Sequence, residues 1–127
     1  MIHLDTSLLI RALVPGTSAD KQLRDWLRRR VLLGVSAVVW AEFLCGPVDE
    51  HEVQLARRVI AERVPFNADD AELSARLFNL GGRRRGSMAD CMIAATTIRC
   101  DASLATANPD DFHKLTSAGL KILPGTW

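Results

Sequence analysis

The sequence is poor in cysteine, with only Cys45, Cys91 and Cys100 among 127 residues. An odd number without C-x-x-C spacing argues against a disulfide framework or a thiolate zinc site, and predicts a reduced, cytoplasmic protein. Net charge is nearly absent, at +1, so no global field directs the chain to nucleic acid or a membrane surface. A polyanion would have to be held by a local patch. The longest uncharged apolar run, "VLLGVSAVVWA", falls well short of the roughly 20 residues that a membrane span requires. No basic segment precedes an apolar one at the start of the chain, which argues against a secretory signal. There is no G-x-G-x-x-G or Walker lysine loop and no G-x-S-x-G elbow, so those nucleotide and hydrolase folds find no support. With neither repeats nor a linker, residues 1–127 read as a single domain large enough to bury a core.

What remains is a globular composition, 48% hydrophobic and 24% charged, in alternating short strands and helices. Strand Ile2 to Leu4 leads into a helix from about Ser7 to Val14, which "PGTS" breaks. Ser18 can cap a helix from Ala19 to about Leu32 that Gly34 stops, leaving Val35 at most a brief strand. Ser36 can cap a helix through Cys45, closed by Gly46-Pro47. Another helix runs from Asp49 to about Arg63, before a strand from Val64 to Phe66. Asn67 can cap Ala68 to Leu80, with Gly81 at the end. A basic loop, "GGRRRG", precedes a helix from Met88 to about Arg99. A strand (Ser103 to Thr106), a short helix ("NPDDFHKL") and a last strand (Leu120 to Leu123) finish the pattern. Strands separated by helices predict a mainly parallel sheet with helices on both faces, an α/β/α architecture. In such sheets ligands gather beyond the carboxyl ends of the strands.

Several carboxylates sit where capping alone does not settle their role. Asp5 stands between the first strand and its helix, where it can serve as N-cap or as a site residue. Glu42 is the lone charge in the apolar helix "SAVVWAEFLCG". A helix apolar all round is expected to be buried, so Glu42 should need an arginine, a shared proton or a cation. Asp90 is the lone charge in "SMADCMIAATTI", and Ser87-Met-Ala-Asp90 also fits a capping box. Asn108 can cap the "NPDDF" turn with Asp111 as its reciprocal partner, leaving Asp110 to solvent. Taken together, these oxygen donors from several elements suit Mg²⁺ or Mn²⁺, which would relieve the mutual repulsion of clustered carboxylates. His3 reads as a strand residue of the core or edge, and His51 and His113 as solvated. Arg83, Arg84 and Arg85 can touch phosphate, or be solvated, or face a protein partner.

"MIHLDTSLLI", "VSAVVWAEFLCG", "GSMADCMIAATT" and "LATANPDDF" resemble, in order and spacing, the four acidic blocks of the PIN domain. The likeness is nearest to the VapC-type toxins of VapBC toxin–antitoxin pairs. The resemblance implies a small α/β/α fold, a metal-dependent ribonuclease using Mg²⁺ or Mn²⁺, a VapB-like antitoxin that blocks the site, and a toxin homodimer. By position it carries over Asp5, Glu42 and Asp90 as the family's acids. Asn108 or Asp111 stands at the variable fourth block, and Thr6 and Ser7 form the polar pair after the first acid. It implies hydrolysis by water, with no side-chain nucleophile. Receiver-like and haloacid-dehalogenase-like readings share the fold class. However, "HLDTS" lacks the paired acids of the first, and Ser7 stands where the second needs an aspartate. A non-catalytic PIN-like module that binds RNA or protein is the remaining alternative.

Overall fold

A computed structural model describes residues 1–127. Five short strands form one sheet: β1 (Ile2–Leu4), β2 (Leu33–Ser36), β3 (Glu62–Val64), β4 (Ser103–Ala105) and β5 (Lys121–Ile122). Their order is β3-β2-β1-β4-β5, and every pairing is parallel. The connections carry α1 (Thr6–Ala12), α2 (Ser18–Arg28), α3 (Ala37–Cys45), α4 (Glu50–Val59), α5 (Ala68–Leu80) and α6 (Met88–Arg99). Two 3₁₀ turns, Pro109–Asp111 and His113–Ala118, lie between β4 and β5. The expected α/β architecture is therefore present, with a sheet that is wholly parallel.

Strands β2 and β3 are added on one side of β1, and the chain then crosses back to place β4 on the other. That reversal makes the gap between β1 and β4 a switch point of the kind where α/β sheets bind ligands. Leu4 is paired with Ala105 there, and the Asp5 amide donates to the Ala105 carbonyl at 2.9 Å. Asp5 and Thr106 thus leave the sheet side by side at its carboxyl edge.

Several boundaries differ from the sequence reading. Helix α2 is capped by Thr17, whose hydroxyl accepts from the Asp20 amide at 3.0 Å, rather than by Ser18. It ends at Arg28 because Arg30 turns to φ 59° and the Val31 amide reaches back to the Trp26 carbonyl. Gly34 does not stop a helix. It lies inside β2, where a Cβ would meet Met1 Sδ at 3.0 Å and His3 Cδ2 at 3.2 Å, so the strand needs the missing side chain to approach β1. Strand β3 begins at Glu62, two residues before the expected Val64, because α4 ends early at Val59.

The core joins Leu4, Leu8 and Leu9 to Val35, Val39, Phe43, Ile93 and Leu104, all essentially sealed from solvent. His3 is a core residue as expected. Its Nδ1 lies 3.3 Å from the Thr97 hydroxyl, and burial pushes its pKa down to about 4, helped by the N-terminal amine and Arg99. His51 and His113 are exposed. One ion pair is built into the helical layer, where α5 packs on α6. Asp70 is fully buried and accepts from Arg99 Nε at 2.6 Å, Arg99 Nη2 at 3.1 Å and the Thr96 hydroxyl at 2.9 Å. It also completes a capping box with Asn67. Burial pushes this carboxyl up, but the hydrogen bonds from Arg99, Thr96 and the Asn67 amide outweigh it and hold it below the usual range. Asp70→Ala leaves Arg99 with only the Pro65 carbonyl, frees the Thr96 hydroxyl and removes the reciprocal half of the capping box, while Asn67 still caps the residue 70 amide. It should cost about 3 kcal/mol in urea unfolding, since breaking a buried pair from one side is more damaging than omitting it.

Candidate active site

Asp5 is 6% exposed at the β1–α1 junction. Although it holds the N-cap position of α1, its side chain makes no capping hydrogen bond. Both donors it receives fall on Oδ2: the Thr106 hydroxyl at 2.8 Å and the Ser7 hydroxyl at 3.0 Å. These hydroxyls are themselves held, since Thr106 Oγ1 accepts from the Asn108 amide at 3.0 Å and Ser7 Oγ from the Ala107 amide at 3.3 Å. The loop after β4 therefore fixes the carboxylate after β1 through two hydroxyls. Oδ1 is left without a protein donor.

Thr6 donates to Glu42 Oε1 at 2.6 Å. Glu42 is exposed, which corrects the expectation of a buried helix. Only Val39 and Phe43 of α3 are buried, while Ala37, Ala41, Leu44 and Cys45 face outward. An apolar run reads the same whether it fills a core or coats a surface, and here it does both. Glu42 consequently needs no buried counter-charge. The Thr6 hydroxyl and water satisfy it.

Asp90 lies in the first turn of α6, and its carboxyl is pushed up to about 6. Burial is the largest cause. The charges of Asp5 and Asp111 add to it, Arg84 opposes it, and Glu42 adds to it again. Arg84 Nη2 stands 3.7 Å from Asp90 Oδ2. The alternative of a capping box is not realised. Ser87 has helical dihedrals and makes no side-chain cap, and its hydroxyl donates instead to the Arg84 carbonyl at 2.7 Å.

At the fourth block, Asn108 and Asp111 are both exposed, and the Asn108 side chain caps nothing. Of this block, Asp111 adds its charge to the upward push on Asp90. Within the arginine triplet, Arg83 is bound to Asn79 Oδ1 and lies over the Phe78 ring, and Arg85 is exposed. Arg84 alone of the three pairs with a site acid. Thr106, which completes the support of Asp5, gives no sign in the sequence beyond following the "LA" of a strand.

These carboxylates come from four elements, and the charges of Asp5, Asp111 and Glu42 act on Asp90. The PIN domain family model matches residues 2–117. The chain belongs to the PIN domain family. Among solved structures, FitAcB from Neisseria gonorrhoeae is similar at a TM-score of 0.72 and 22% identity, over 98% of this chain and 97% of that one. A toxin–antitoxin complex from Klebsiella pneumoniae is similar at 0.72 and 24%, over 100% of both chains. The sarcin–ricin loop cleaving toxin VapC20 from Mycobacterium tuberculosis is similar at 0.65 and 18%, over 98% and 100%. At these identities the likeness is one of fold.

For a PIN domain, the donor set here is all hard oxygen, which suits Mg²⁺ or Mn²⁺ and not zinc or copper. The upward push on Asp90 comes first from burial, and the neighbouring negative charges that add to it are what a divalent cation would relieve. No group of three or more His, Cys, Asp or Glu side chains is already arranged to hold a metal ion. Three of the four acids have their own engagement: Asp5 with Ser7 and Thr106, Glu42 with Thr6, and Asp90 with Arg84. No helix is long and apolar enough to cross a membrane.

Proposed function

We propose that this PIN domain is a divalent-cation-dependent endoribonuclease, the VapC-type toxin of a toxin–antitoxin pair. The observation that carries the reading is the placement of Asp5 at the carboxyl edge between β1 and β4, with Asp90 and Asp111 on the wall of one cavity. The fold it shares with a sarcin–ricin loop cleaving toxin and with a toxin–antitoxin complex supports it. Asp5, Glu42, Asp90 and Asp111 would hold Mg²⁺ or Mn²⁺, and Asn108 would sit beside them through its amide contact to Thr106. When bound, the cation would polarise the phosphodiester and stabilise charge on the attacking and leaving oxygens. The protein's part is to aim and to bind. Ser7 and Thr106 pin one oxygen of Asp5 and leave the other free, Thr6 orients Glu42, and Arg84 offers a guanidinium to phosphate.

A protein nucleophile does not fit this geometry. Ser7 donates to Asp5, and burial pushes the Cys91 thiol up, away from the reactive thiolate. Water is then the attacking group. RNA cleavage in Mg²⁺ or Mn²⁺ should stop in EDTA and leave 5′-phosphate and 3′-hydroxyl ends. A 2′,3′-cyclic phosphate would mean that the ribose 2′-oxygen attacks and would overturn the mechanism. The toxin reading further assigns a VapB-like antitoxin as partner, a homodimer as the working form and the cytoplasm as its location. Ile10, Val14 and Leu44, apolar side chains 43%, 50% and 44% exposed on and near α1 and α3, give such partners a surface. Co-expression with the antitoxin followed by size-exclusion chromatography tests that part.

A further inference from the structure

Next to the acids lies a cavity of about 250 Å³. Its wall includes Asp90 and Asp111, so any occupant lies against the proposed reacting centre. It also includes Asp110, Leu115 and two cations from separate segments, Arg84 of the glycine-flanked loop and Lys114 of the second 3₁₀ turn. Lys114 was not singled out by the sequence. It shares this wall with three carboxylates, yet it forms no ion pair with any of them. Arg84 makes one long contact, at 3.7 Å, and keeps its other donors unused. Both cations are therefore available to an anion.

Two cations against three carboxylates leave the cavity formally negative, and a divalent cation on the acids would reverse that sign. Anion binding in the cavity would thus follow occupation of the acid cluster. The volume is just below the range of roughly 300–1,000 Å³ typical of whole small-molecule sites. It suits one unit of a polymer whose remainder lies outside. Leu115 and Cys91 are the two apolar side chains of the wall.

We infer that this cavity binds the nucleotide adjoining the scissile phosphodiester, with Lys114 and Arg84 holding its phosphate. The inference rests on the ribonuclease reading and adds Lys114 as a substrate-positioning residue. It also selects Arg84 from the triplet, because Arg83 is engaged by Asn79 and Phe78.

The test is fluorescence anisotropy of a labelled short single-stranded RNA, made resistant to cleavage by phosphorothioate linkages, with Mn²⁺ and with all the acids intact, so that binding is read without cutting. Lys114→Ala should weaken binding roughly ten-fold and reduce the salt slope by about one. Lys114→Arg should restore most of both. In cleavage by the otherwise wild-type enzyme, Lys114→Ala should raise KM more than it lowers kcat. Arg76→Ala, which removes an exposed charge on α5, is the control for general electrostatics. An unchanged affinity and slope for Lys114→Ala, in a protein whose parent cleaves RNA, would overturn the cavity assignment alone. So would an equal loss for Arg76→Ala. A wild-type protein that neither binds nor cleaves RNA would overturn the ribonuclease reading on which the inference rests.

Discussion

Asp5→Asn should lower RNA cleavage by roughly 10²–10³-fold or more, the scale seen when one electrostatic stabiliser of a transition state is removed, with little change in fold. The amide oxygen of asparagine can still accept from Ser7 and Thr106 where Oδ2 does now. What disappears is the negative charge on the free oxygen. The same geometry predicts a graded effect one layer out. Thr106→Val deletes a donor to Asp5 and an acceptor for the Asn108 amide without touching substrate, and outer-shell losses of this kind cost about 10–100-fold in metal affinity or activity. Thr106→Ser should recover most of the loss, because only the methyl is removed. Mn²⁺ titration followed by the rise in melting temperature reads this apart from turnover. If Asp5→Asn cleaves at the wild-type rate with contaminating nuclease excluded, the acids are not catalytic. A binding module then becomes the better account of this PIN domain.

Much of this site was legible because the acids stand at changes of element. Asp5 ends a strand, Asp90 begins a helix, and Asp111 lies in the turn after the fourth strand. What sequence pattern could not convey was engagement. "Ser-Met-Ala-Asp" has the spacing of a capping box, but the spacing is indifferent to whether Ser87 is extended or helical. It is helical, so its hydroxyl turns to the Arg84 carbonyl and leaves Asp90 unpaired by any cap. Glu42 lies on the expected helix but in a different environment, exposed rather than buried, for a run of apolar residues carries no mark of which face meets solvent. Gly34 suggested a helix stop because glycine commonly ends helices. Its use inside β2 depends on Met1 and His3 in the neighbouring strand, contacts that local composition does not contain. Thr106 and Lys114 were invisible for a related reason. A single threonine or lysine acquires meaning only from what the fold places beside it, namely Asp5 Oδ2 in one case and a shared cavity in the other.

The sharpest separation of site residue from helix-start residue is expected at Asp90, and it is a matter of stability. Its carboxyl titrates near 6 in the folded protein against 3.8 for the free side chain, first through burial and then through Asp5 and Asp111. A raised carboxyl pKa means that the native state binds the proton more tightly than the unfolded chain does. The contribution of Asp90 to stability is therefore most favourable below about pH 4, is lost as pH rises from there to about 6, and changes little above that. At about 1.4 kcal/mol per unit, ionised Asp90 costs roughly 1–3 kcal/mol at pH 8 without a divalent cation, after allowing for solvent screening. Asp90→Asn keeps the shape and removes the charge. In EDTA at pH 8 it should melt several degrees above wild type, and the gap should close by pH 4–5. The lost contact to Arg84, long and largely exposed, subtracts little. With Mn²⁺ the order should reverse, since wild type gains stability by binding while the variant loses most of that rise. A helix-capping carboxylate predicts the opposite pattern, with Asp90→Asn less stable by about 0.5–2 kcal/mol in EDTA and its full Mn²⁺ response retained. That outcome would remove Asp90 from the site. One melt per variant at each pH, with and without metal, decides between them.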